Sequence, residues 1–234
     1  MYYDAVDVVD ALGLLLKAGE EDVSLQQQKS YRFDVTDAAI QVTSNAALDL
    51  YHKAQDSFFN KDVEGLRASS KEFMEWLVLC ESVTEDQEER LLGFWIAKAR
   101  EAGGENAADA DLFELNARTV VTLWGVQESG LHEYSYRLWA DMVEGFYDVR
   151  WKSFWEKVID SVETGVEFVQ TDYVAEITAW EESWTRLTVK DVVLSTEVNG
   201  KGLEFAQVIY DKAKRSEQIG KGNRGKGSVR IQRL

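Results

Sequence analysis

Apolar positions recur at three- and four-residue steps along most of this chain. Val35, Ala39, Val42, Ala46, Leu50 and Ala54 form one stripe, and Val63, Leu66, Phe73, Leu77 and Cys80 form another. That period places side chains on a single helical face, so both stretches predict amphipathic helices. Asn60 and Lys61 stand between the stripes with room only for a tight reversal, which predicts an antiparallel helical pair. Further helices are predicted over about 87–101, 109–121, 131–147, 150–162, 173–187 and 202–214, with Gly103-Gly104 and Gly165 as stop signals. The stretch 166–169 is the one short candidate for a strand, and no period near 34 or 40 residues suggests a helical repeat array. The expected fold class is all-α: a single helical-bundle-like domain of about eight or nine helices over 1–215, followed by a basic, disordered tail over 216–234.

Composition refines this picture in four places. With 45% hydrophobic residues in 234, the chain can bury a sizeable core as one domain. Its formal charge is -16, yet the residues from Lys212 onward carry about +7, leaving the body near -23. Such a body repels phosphate backbones and anionic headgroups, so neither nucleic acid nor membrane is an expected partner, and only the tail could serve as a nucleic-acid arm. Cys80 is the single cysteine, which rules out an internal disulfide and leaves the redox compartment open. There is no signal-peptide pattern, no apolar run near eighteen residues and no Asn-x-Ser/Thr sequon. The chain has no proline, where average usage would give about twelve.

The richest stretch runs from Leu112 to Trp151 and holds more aromatic, Arg and Asn residues than a helical core needs. Within it stand Asn116-Ala117-Arg118, Leu123-Trp124-Gly125, Tyr134, Trp139, and Tyr147 followed by Arg150-Trp151. Upstream are Tyr31-Arg32-Phe33-Asp34-Val35-Thr36-Asp37 and Leu91-Leu92-Gly93-Phe94-Trp95-Ile96. In order and nearly in spacing, this set resembles the C-terminal helical region of the alpha-N-acetylglucosaminidases, glycoside hydrolase family 89, over roughly residues 31–165. The chain departs from the family pattern at Val126 and Val149, where the family usually has Pro, at Glu133 in place of Asp, and in a loop before Tyr134 that is about one residue longer. The two missing prolines fall where the resemblance would place them, which suggests that prolines were removed or selected against.

The resemblance implies an accessory domain that packs on a catalytic barrel and supplies one wall of a pocket for a terminal alpha-linked N-acetylglucosamine. A retaining glycosidase needs two carboxyls roughly 5–5.5 Å apart. Nothing singles out such a pair among the 42 acidic residues here, and the family carries its pair on the barrel. The isolated chain is therefore expected to be catalytically silent, to need no cofactor or metal, and to self-associate through the apolar face a barrel would cover.

Four residues are candidate sugar contacts: Trp124, Tyr134, Arg118 and Asn116. By composition alone, a Trp between helices reads as a core anchor, because it buries a large area while its N–H needs one partner. The resemblance instead favours an indole left exposed by a bend at Gly125. Arg118 can orient that turn through its fork of donors or reach substrate. Tyr134 can bond a sugar or a neighbouring helix, and Asn116 a sugar or a helix end. Trp151, Trp155, Val158 and Val162 read as core. Asp49-x-x-His52 is half of a bundle metal site without its other half, and Cys80 reads as a buried, inert thiol. The alternative to the sugar reading is a stand-alone helical scaffold or interaction protein without sugar binding.

Overall fold

In the computed structural model, which describes residues 3–125 and 136–216, the two apolar stripes become the two longest helices, α2 (Lys29–Phe59) and α3 (Val63–Thr84), following α1 (Ala5–Glu21). Val35, Ala39, Val42, Ala46, Leu50 and Ala54 are all buried, as are Leu66, Phe73, Leu77 and Cys80. The reversal is as tight as the sequence predicts. Lys61 takes a left-handed φ of 56°, and Asp62 accepts a hydrogen bond from the Gly65 N–H at 3.0 Å, satisfying one of the free donors that begin α3.

The helix α8 (Gly202–Arg215) lies with α1 across this pair. Leu12, Leu66, Ala206 and Ile209 meet there, each fully removed from solvent, and burying a Leu or Ile side chain contributes about 1.5–3 kcal/mol. On the other side stand α4 (Leu92–Ala102), α5 (Ala107–Val121), α6 (Asp148–Thr164) and α7 (Gln170–Thr185). Trp151 and Trp155 of α6 stack at 5.6 Å against Phe73 of α3, so the stripe read as core packs as core. Gly165, at φ 72°, ends α6 with its N–H on the Ser161 carbonyl at 3.0 Å, a left-handed cap that a Cβ would disfavour. The fold is all-α with eight α-helices and no strand among the described residues, and none of these helices is long and apolar enough to cross a membrane.

Three boundaries differ from the sequence reading. The helix expected from 87 begins only at Leu92, because Leu91 is extended and forms an isolated parallel bridge with Ala140. For the same reason, residues 136–140 are not helical. Ala140 N–H donates to the Arg90 carbonyl at 2.8 Å and Leu92 N–H to the Ala140 carbonyl at 3.2 Å, so the backbone there is satisfied across the chain. Helix resumes after Asp141, at φ 66°, with a π-type turn over Val143–Tyr147 that runs into α6 without a break. The expected break between Tyr147 and Arg150 is absent because Val149 keeps an N–H where the family pattern has proline. Residues 166–169 form no strand. Tyr134, Val126, Glu133 and the residues after Ser216, including the basic tail, lie outside the described residues.

Candidate functional site

The α4–α5 hairpin is drawn together by charge. Arg100 of α4 meets Asp111 at 2.7 Å and Glu114 at 2.6 Å, both on α5. This antiparallel pairing sets the start of α4, with Trp95, beside the end of α5, with Arg118. Glu114 is fully buried and pairs at 2.9 Å with Arg118, whose side chain is equally buried; Glu114 also accepts from the Val189 N–H at 3.3 Å. The Arg118 guanidinium lies 4.9 Å from the centre of the Trp184 ring on α7, a cation–π contact. A single carboxylate thus ties α4, α5 and the segment after α7.

Arg118 in turn fixes the bend that follows it. Its carbonyl accepts from Thr122 Oγ1 at 2.7 Å, and the Trp124 N–H returns to the Thr119 carbonyl at 2.7 Å. The left-handed residue of this bend is Trp124 itself, at φ 63°, and not Gly125. A bulky residue in that region costs on the order of 1–3 kcal/mol and persists only where its surroundings impose it, a state that clusters at ligand clamps and active sites. Trp124 is 38% exposed, so its indole is not a core anchor. Asn116 sits on the exposed side of α5, in the helix interior and not at its end. The structure brings Arg118 and the Trp124 bend together and directs Asn116 outward.

A second aromatic feature was not read from the sequence as a site. Tyr51, Tyr136, Tyr147, Arg150, Trp151 and Tyr173 line a cleft of about 380 Å³ between α2, α6 and α7. Arg150 is held at 2.9 Å by the buried Glu181 and lies over the Phe146 and Tyr147 rings at 5.6 and 6.0 Å. Burial pushes the Tyr147 hydroxyl well above the usual phenol range, so it remains protonated. Tyr147, Arg150 and Trp151 were visible as motif residues; what their spacing could not show is that Tyr51, nearly a hundred positions away, would face them.

The most perturbed carboxyl is Glu81 of α3, driven up to about 7 by burial against the opposing pull of two backbone donors. A raised carboxyl is a signal for an acid catalyst. Here both oxygens are committed, one to the Asp141 N–H and the other to the Glu144 N–H at 3.1 Å. Asp141 is also raised, chiefly by burial, while its own carboxylate accepts from the Ser195 N–H at 2.9 Å. These acids anchor the π turn and the segment after α7. Among the described residues, no three His, Cys, Asp or Glu side chains converge on a metal-sized site. Burial raises the Cys80 thiol to about 12, which makes it unreactive.

The fold defines an all-helical domain that carries a partly exposed, backbone-strained Trp and a phenol-lined cleft. Residues 1–212 match the family described as the alpha-N-acetylglucosaminidase (NAGLU) C-terminal domain, and the chain belongs to that family. It is 30% identical over 185 residues to human alpha-N-acetylglucosaminidase, covering 79% of this chain but 24% of the human protein. It is also similar to the family 89 glycoside hydrolase of Clostridium perfringens. In complex with 2-acetamido-1,2-dideoxynojirimycin, that enzyme superposes with a TM-score of 0.83 at 25% identity over 95% of this chain and 25% of the enzyme. A variant of it in complex with its substrate GlcNAc-alpha-1,4-galactose gives 0.81 at 26% identity over 90% and 24%. The chain therefore spans about a quarter of the length of these relatives.

Proposed function

We propose that this domain forms one wall of the sugar pocket of an alpha-N-acetylglucosaminidase, packed against a catalytic barrel that carries the reacting carboxylates. The observation that supports this most directly is Trp124, held at φ 63° with its indole partly in solvent, on a bend secured from behind by a buried ion pair. A flat aromatic surface suits the apolar face of a terminal N-acetylglucosamine. In this reading, Tyr134 and Asn116 supply polar contacts, and Arg118 acts by positioning the bend rather than by touching substrate. Because fixed geometry lowers the entropic cost of reaching the transition state, a rigid wall raises turnover as well as affinity. Hydrolysis itself falls to the barrel, with retention and through its carboxylate pair.

Replacing Trp124 by Ala tests this. Truncating a buried Trp costs about 3–5 kcal/mol; this half-exposed one should cost less than about 2 kcal/mol by thermal unfolding. In an assembled enzyme carrying this domain, the same change should lower kcat/KM for an aryl alpha-N-acetylglucosaminide about tenfold or more, consistent with loss of one aromatic contact to the sugar. A large stability loss with turnover unchanged would return Trp124 to the core and favour the scaffold alternative.

A further inference from the structure

A partly exposed aromatic row crosses the face formed by the start of α4, the turn before it and residues 136–140. The Trp95 and Trp139 indoles stack at 5.7 Å with 14° between their planes. The Arg137 guanidinium lies 5.7 Å from the Trp139 ring, and Arg90 lies 5.0 Å from the Phe33 ring on α2. Trp95 is 40% exposed and Phe33 38%, while Trp139 is partly buried against the core. This surface is held in place before any partner arrives: Trp95 Nε1 donates to the Glu89 carbonyl at 3.0 Å, and the Leu91–Ala140 bridge fixes the strand-like segment that carries Arg137 and Trp139. Two stacked indoles so placed lose little conformational entropy when covered, and Trp and Arg are the residue types that dominate binding hot spots.

We infer that the Phe33, Arg90, Trp95, Arg137 and Trp139 face is the surface on which this domain docks against the catalytic portion of its parent hydrolase, through an apolar patch bordered by carboxylates. The inference rests on the proposed function and adds to it the site of docking. Three observations select this occupant. The chain spans about a quarter of its relatives, so some three quarters of the family protein lies outside it. The antiparallel α4–α5 hairpin puts the start of α4, which carries Trp95, at the same end of the hairpin as the C-terminus of α5, which leads into the Trp124 bend. Charge points the same way: in a chain of net charge -16, this face displays the Arg137 guanidinium, while the largely buried Arg90 pairs with Asp37 at 2.6 Å. The Arg137 guanidinium hydrogen-bonds the adjacent Tyr136 carbonyl at 3.1 Å and no other group among the described residues. Arg137 is exposed, and its guanidinium suits a partner's carboxylate.

The test titrates this chain with the catalytic portion of the Clostridium perfringens relative and follows association by sedimentation velocity. Trp95→Ser with Arg137→Glu should weaken association at least about 30-fold, the loss expected when one hot spot is removed. Val208→Ser, at an exposed position on α8, should leave it unchanged, and the unfolding midpoint of each variant alone establishes that it folds. Failure of the unaltered chain to associate at tens of micromolar would overturn the inference, as would weakening of less than about threefold. So would a homodimer of the chain alone that the Trp95 variant abolishes, since the occupant would then be a second copy. Trp124→Ala separates the two proposals: it should leave association intact and lower hydrolysis by the assembled pair. Unchanged hydrolysis with association lost only in the Trp95 variant would refute the sugar wall and leave the docking face standing.

Discussion

Removing Glu114 should destabilise this domain more than removing any other single charge. Glu114→Leu leaves Arg118 with no carboxylate while both side chains of the original pair are fully buried. Stranding one buried charge costs about 3–5 kcal/mol, and for a domain of this size each kcal/mol lowers the unfolding midpoint by about 2–4 °C. A fall of roughly 6–20 °C follows, the loss being a large share of the about 5–15 kcal/mol that holds a typical domain together. The reverse change should be milder: Arg118→Met leaves Glu114 paired with Arg100 at 2.6 Å, and Arg100 is partly solvated and shares Asp111. The double variant should recover most of the loss, since an apolar pair of similar volume often replaces a buried ion pair at little cost. Urea unfolding followed by circular dichroism, at constant m, supplies the three free energies. If Glu114→Leu costs less than about 1 kcal/mol, or if the double variant equals the sum of the singles, Glu114 is not the tie between α4, α5 and the segment after α7.

Gly93→Ala should destabilise by about 1–3 kcal/mol, because a Cβ there would stand 2.2 Å from the Ser195 carbonyl oxygen. Gly145→Ala, where a Cβ meets nothing, should be neutral or slightly stabilising, and chemical denaturation of the two variants side by side decides it. Glu81 gives a pH signature. Its folded pKa, about 7, lies above the ordinary carboxyl value of 4.5, so the native state binds the extra proton, and the stability gained is complete below about 4.5 and lost as pH rises through 7. Glu81→Gln should therefore gain on the unaltered chain between pH 5 and pH 8, by up to about 3 kcal/mol; a difference that stays flat across that range would show that Glu81 ionises normally.

The α2–α3 pair was legible because everything that makes it is local: two apolar stripes at helical spacing and two residues between them. The extended segment 136–140 and the π turn after it were not, since they are set by the Leu91–Ala140 bridge and by Glu81, which reaches residues 60 and 63 positions away. The same division holds at the site. Arg118 and Trp124 stood out in their motif, while Glu114 was one carboxylate among 42, and nothing near Gly93 announces that the Ser195 carbonyl will press on it. A left-handed Trp124 ran against expectation because Gly125, next to it, is the residue that bends at less cost.

The closure of α8 over α1, α2 and α3 bears on how the chain folds during synthesis. Lys214 of α8 pairs with Asp10 of α1 across 204 positions, and Ala206 and Ile209 fill a groove made by helices that emerge far earlier. Until α8 leaves the ribosome, that groove stays open to water and to other chains, at a translation rate of about 5–20 residues per second. The interval between completing α3 and completing α8 is then on the order of ten seconds, far longer than helix formation or collapse requires. Nascent chains of this domain therefore pass through a long-lived, open-groove state that chaperones can engage, and a stop codon placed before Gly202 would make that state permanent.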